Sequence, residues 1–256
     1  MILPALLLPA ACETVPGPVA ELDVPAYETL AAAHNDRVDR IREVYARGVI
    51  ELWWTDDDGR HHEQGDADLW VAPPARTALH VSKLGHRFMW IGSDDDSAWL
   101  FDFRQDPTTL HVADRGQLSD VPFEPTLLLE LGGLTRMPAT GGQVRYDDER
   151  DAWAVTTPEG LVLYLDRGAM LPVAAELADA EVLLYSRMKL SGYDRIDMVG
   201  HSPLDGARFP TVVDLGSTDG RMEVRLVVRG PTDDEVEARY FDLTWLRDRF
   251  CPCDQP

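Results

Sequence analysis

The sequence predicts a mainly β protein of the α+β class, built on a long antiparallel sheet that curves and has one face covered. Three observations predict it. Between Gly48 and Phe103 apolar runs recur at residues 49–55, 67–72, 77–84, 87–92 and 98–103, and the breaks hold Asp, Gly, Pro or Ser. Runs of that length split by turn residues read as consecutive strands of a meander. The runs also alternate. Ile50, Leu52 and Trp54 oppose Val49, Glu51 and Trp53; Ala67, Leu69 and Val71 oppose Asp66, Asp68 and Trp70; Thr77, Leu79, Val81 and Lys83 oppose Ala78, His80, Ser82 and Leu84. One face is therefore mostly apolar and the other mixed. Finally, the pattern resumes from Gln143, at 144–146, 152–156, 161–166, 172–177, 181–190, 209–215 and 221–229.

At 256 residues the chain is long enough for a sizeable core. Its 45 acidic against 24 basic residues give a formal charge of −21. Such a surface repels phosphate backbones, which excludes nucleic acid as a partner, and it argues against adsorption to an anionic membrane by charge alone. The three cysteines, Cys12, Cys251 and Cys253, lie outside the strand-rich body, so no disulfide framework holds the fold. No apolar run reaches the 18 residues that a membrane-spanning helix needs.

Taken in order, residues 1–12 read MILPALLLPAAC, an apolar stretch ending in Ala10-Ala11-Cys12. Residues 13–25 hold three prolines and a glycine and read as an extended tether. Residues 26–46 read as an amphipathic helix, with Leu30, Val38, Ile41 and Val44 or Tyr45 near helical spacing and Gly48 ending it. After the first meander, Pro125 opens a short helix whose run 127–131 is apolar nearly all round, and such a helix must be buried. Residues 240–250 form a tail that reads as helical, with Leu243, Trp245 and Leu246 to bury. The domain proper is thus 26–256, with eleven or twelve strands and two or three helices expected.

Two segments carry a family resemblance. Residues 1–12 resemble the end of a bacterial lipoprotein signal peptide, which implies lipidation at Cys12, although no Lys or Arg precedes the apolar stretch and Pro9 stands where Leu is usual. Gly65 to Pro73, reading GDADLWVAP with Arg76 following, looks like the second strand of the LolA/LolB-like lipoprotein carriers and receptors. His34-Asn35 with Val38 and Ile41 is similar to the helix leading into their first strand, and the order of elements agrees over residues 26–250. The resemblance implies a half-open antiparallel β-barrel with helices packed on its concave face. It also implies an apolar groove for an acyl chain or the lipid moiety of a lipoprotein, lined or plugged by Leu52, Trp54, Leu69, Val71, Leu79, Val81, Leu127, Leu128 and Leu131. The protein would be a monomer without a cofactor, held by its lipid on the periplasmic side of a bacterial membrane. Carriers of this family place an arginine before that proline, where it helps hold the helical lid shut. Here the position is Ala72, which leans the reading towards an anchored receptor or lipid-binding relative. The alternative is a surface lipoprotein with a filled core that serves as a protein-interaction module.

Catalysis and metal binding find little support. His61-His62-Glu63 beside Asp66 and Asp68 is the best metal or acid–base cluster, but adjacent residues of an extended segment point apart rather than at one ion. Asp56-Asp57-Asp58-Gly59 and Asp94-Asp95-Asp96 are acidic turns without the ligand spacing of a calcium loop. His201-Ser202 has no nucleophile elbow around it, and Cys251-Pro-Cys253 places two thiols too close for an unstrained disulfide. No catalytic residue, metal site or enzymatic activity is expected.

Overall fold

The computed structural model describes residues 23–115, 125–177, 185–198, 206–217, 220–234 and 236–251. Helix α1 (Tyr27–Val38) comes first. Strands β1 (Val44–Asp56), β2 (Gly59–Ala72), β3 (Arg76–Lys83), β4 (His86–Ser93), β5 (Ser97–Asp102) and β6 (Thr109–Asp114) follow. Then come helix α2 (Pro125–Glu130) and strands β7 (Gln143–Asp147), β8 (Ala152–Thr156), β9 (Leu161–Asp166), β10 (Pro172–Leu177), β11 (Tyr185–Arg195), β12 (Arg208–Ser217) and β13 (Met222–Thr232). A 3-10 turn at Ala238–Phe241 leads into helix α3 (Leu243–Phe250).

These strands form one sheet in the order β6-β5-β4-β3-β2-β1-β13-β12-β11-β10-β9-β8-β7. It is two meanders joined where β1 pairs with β13, and β6 and β7 are its open edges. Leu100 of β5 and Trp153 of β8, near opposite ends of the sheet, share one apolar cluster with Leu30 of α1 and Leu127 of α2. A sheet whose two arms reach one cluster has to curl around it, so α1 and α2 fill the concave side of a half-open barrel.

The opposite face is not bare. Trp70, Ala78, Trp90, Trp99 and Phe101 alternate with the inner residues and build a second cluster with Phe241 and Leu246. Trp70 stacks on Trp90 at 5.3 Å, and Phe250 of α3 meets the ring of Phe101 edge-on at 5.5 Å. The third helix therefore lies on the outer face rather than with the others. The mixed face of the meander is aromatic enough to need a cover of its own.

Several boundaries differ from those expected. α1 stops at Val38 instead of running to residue 46, because Val44 and Tyr45 are taken up in pairing with Val71 and Trp70 of β2. Gly48 ends no helix; it lies inside β1, where an added Cβ would stand 2.0 Å from the Val227 carbonyl oxygen. β2 begins eight residues before Ala67 was due to open it, since polar residues 59–66 extend the ladder along β1 without an apolar signature. Leu84 leaves β3 for the turn to β4, where its φ is +52° and it is exposed. β6 went unanticipated: it is an edge strand with Leu110 and Ala113 only half-buried.

Candidate functional site

The groove residues named from the sequence lie on one side of the sheet. Leu52 of β1, Leu69 and Val71 of β2, Leu79 and Val81 of β3, and Leu127, Leu128 and Leu131 in and after α2 are buried in the inner cluster, with Trp54 half-buried against it. α2 contacts β3 and β4. Pro125 occupies its first turn, where a missing N–H costs nothing. Its end is closed by the Leu134 amide donating to the Leu129 carbonyl at 2.8 Å, with Gly133 at φ +61° making the turn. Beside Ile50, Leu52, Val81 and Phe88 a cavity of only about 10 Å³ remains, at most the room of one water. The concave face beside β1–β4 is thus filled by the protein's own leucines, while a cavity of about 610 Å³ lies on the same cluster further along, lined by Met137, Leu161, Leu163 and Leu177.

Four side chains of α1 hold the segment after α2 in place. Tyr27 donates its hydroxyl to the Pro138 carbonyl at 3.0 Å. Asn35 makes a two-way pair with Met137, donating to its carbonyl at 3.0 Å and accepting from its amide at 2.8 Å. His34 Nε2 donates to the Thr135 carbonyl at 2.9 Å, and Arg37 donates to the Gly133 carbonyl. Together these bonds from α1 form a latch on residues 133–138, whereas Ala72 at the end of β2 has no side chain that could form one. His34, Asn35 and Arg37 sit on the buried side of α1 with Leu30, Ala31 and Val38, so polar groups are aimed inward where leucines are usual. That run was visible in the sequence; its acceptors, all backbone carbonyls roughly 100 residues away, were not.

Burial dominates the electrostatics here. His34 is held neutral, its pKa lowered from 6.5 to about 4, by burial first and by the Arg37 charge second. With the proton on Nε2, Nδ1 is buried without a partner among the described residues. Burial also lowers the pKa of the Arg37 guanidinium, which stays charged. Tyr193 donates to the Pro172 carbonyl, and burial raises its pKa.

The remaining candidates do not converge. His61 and His62 lie in β2 on opposite faces, stacked on Trp54 and Trp53; His61 meets Asp56 at 2.8 Å. Asp94 accepts from the amides of Asp96 and Ser97, an ordinary Asp-stabilised turn. Among the described residues no group of three or more His, Cys, Asp or Glu could hold a metal ion. Cys251 is buried with its Sγ 3.8 Å from the Thr108 carbonyl. Cys12, His201, Ser202 and Cys253 lie outside the described residues.

An open antiparallel sheet curled around a short leucine-rich helix, with no convergent titratable cluster among the described residues, defines a class of half-barrel proteins. No family model and no curated protein matches the sequence. Solved structures do match. A DUF1329 family protein from Desulfovibrio piger superposes with a TM-score of 0.56 at 10% identity, over 85% of this chain and 96% of that one. An outer membrane lipoprotein-sorting protein domain from Vibrio parahaemolyticus gives 0.53 at 11%, over 87% and 100%. A LolA superfamily protein from Nitrosomonas europaea gives 0.51 at 13%, over 84% and 98%. The chain has the LolA-like fold.

Proposed function

We propose that this protein binds an acyl chain, free or as the lipid moiety of a lipoprotein, between the concave face of its sheet and α2. The observation that carries the reading is the plug itself: a six-residue helix with three successive buried leucines packs on an inner face that both arms of the sheet share. Withdrawing Leu127, Leu128, Leu129 and Leu131 from that face costs about 6–12 kcal/mol at 1.5–3 per leucine. A sixteen-carbon chain in their place returns about 12 kcal/mol, at 0.8 per methylene. The two coverings balance, which suits exchange of cargo rather than storage. Among solved proteins of this fold, one is described as a lipoprotein-sorting domain, and transport of that kind on the periplasmic side of a bacterial membrane fits an exported chain lipidated at Cys12. No helix among the described residues is long and apolar enough to cross a membrane. In this reading the protein is a binding monomer and not an enzyme.

Native mass spectrometry tests it, on the full chain carrying Cys12→Ser and purified from a bacterial periplasm. A co-purifying mass in the fatty-acid or phospholipid range, lost on denaturation, is the expected result. Leu52→Lys should weaken palmitate uptake by about tenfold or more while the fold survives, because Glu63 stands opposite it in the β1–β2 pairing and lines the same small cavity. A chain that emerges empty and takes up no palmitate sinks the proposal. The tight packing of Leu129 and Leu131, both fully buried, would then favour the filled-core interaction module.

A further inference from the structure

Buried polar atoms that lack a hydrogen-bond partner are concentrated on the outer face of the sheet. Among the described residues there are six: His34 Nδ1 and Arg37 Nε in the latch, and Trp70 Nε1, His80 Nε2, Trp90 Nε1 and Trp99 Nε1 away from it. The three tryptophans share the outer cluster with Phe241 and Leu246, and the His80 ring lies 5.3 Å from that of Trp90. The segment after β13 covers them. Tyr240 sits 4.6 Å from the Trp70 ring and 6.1 Å from the Trp90 ring, and Phe250 sits 5.7 Å from Trp90. Asp68 faces His80 Nδ1 at 3.4 Å, which puts the proton there and leaves Nε2 a lone pair that nothing donates to. Each of these atoms forgoes a bond that water would supply, so their burial works against the cover above them.

That cover is thin. Within α3 only Leu246 is buried, and Trp245 is 36% exposed. Glu237 accepts from Arg239 and Tyr240, and Asp242 caps the Trp245 amide, so these polar groups are satisfied inside the segment. It meets the sheet through rings, with Phe241 under Arg76 and Phe250 under Arg87, and through Cys251 Sγ, 3.8 Å from the Thr108 carbonyl. None of residues 238–251 belongs to the ladder of strands, so the segment can leave without breaking a strand pairing. We propose that residues 238–251 form a releasable strap. It lifts off as one unit while the half-barrel stays folded, and it bares an aromatic face that carries the Trp70 and Trp90 indole donors. The inference does not depend on acyl binding, which concerns the opposite face of the sheet.

Hydrogen exchange read by NMR on the full chain carrying Cys12→Ser tests it, each rate being taken relative to its intrinsic rate. The Leu246 and Cys251 amides donate to the Asp242 and Arg247 carbonyls. They should share one protection factor with the Trp70 and Trp90 indole N–H groups, because a single opening frees all four. That factor should lie about 100-fold or more below that of the Ile50 amide, which sits between β2 and β13 in the middle of the sheet. Leu246→Ala removes the one fully buried side chain of α3, and it should lower the four together by about tenfold or more while Ile50 is unchanged. Indole protection equal to that of Ile50 overturns the proposal, since the outer face then opens only with the whole sheet. Low protection at Leu246 and Cys251 without the indoles overturns it as well, because α3 then frays without lifting.

Discussion

Replacing Gly48 by alanine should lower stability by about 3 kcal/mol or more, the range of severe backbone clashes. For a chain of this size that is a fall in Tm of roughly 6–12 °C. Gly48 sits in β1 opposite Val228 of β13 and Ala67 of β2, so it has neighbours on both sides. An alanine Cβ would lie 2.0 Å from the Val227 carbonyl oxygen and 2.8 Å from the Val227 carbonyl carbon. These are backbone atoms of the paired strand, so no rotamer change relieves the contact. The seam between the two meanders has to open, and the inner cluster shared by both arms opens with it. Gly216 in β12 provides the control, because a Cβ there meets nothing within 4 Å and its φ is not positive. Gly216→Ala should melt with the parent protein. A Gly48→Ala variant melting within about 2 °C of the parent would show that the seam tolerates wider spacing.

How far the sequence carries depends on whether a residue's partner is periodic. Ile50, Leu52, Leu69, Val71, Leu79 and Val81 are legible because alternation alone puts them on one side, and the structure buries them in one cluster. The aromatic residues on the other side were equally visible, but nothing local says that the chain's last helix returns to cover Trp70 and Trp90. Strand β6 and the first half of β2 were hidden because edge and solvent-facing ladders need no apolar residues. Gly48 reads the same as a helix stop or as a site of close strand approach, and only the register of β13 decides. The latch was beyond reach. Its acceptors are backbone carbonyls of residues 133–138, which no spacing rule links to α1.

The latch should make the protein acid-sensitive. Above pH 6.5 His34 is neutral in both the folded and the unfolded chain, and its hydrogen bond to the Thr135 carbonyl stabilises in full. Below that pH the unfolded chain takes up a proton, while the folded one resists until about 4 because the imidazolium would be buried beside Arg37. Stability contributed by His34 therefore drains away as pH falls from 6.5 to about 4, on the order of 3 kcal/mol in all. The carboxylates of the chain titrate in the lower part of the same window, so the wild-type curve alone does not isolate the effect. His34→Gln does: its amide still donates to Thr135, and it carries no titrating group. Denaturant midpoints of the two proteins should run parallel above pH 6.5 and diverge below it, with the glutamine variant keeping more of its stability. Protection of the Met137 amide, which Asn35 holds, measured as its exchange rate relative to the intrinsic rate at each pH, should fall over the same range in the parent and not in the variant. In the proposed acyl binding α2 leaves the sheet together with the segment that follows it, so acid would favour that release, and palmitate uptake should rise with the same midpoint as the loss of protection. Equal pH slopes for both proteins would remove His34 from the latch and leave Asn35 and Arg37 to hold it.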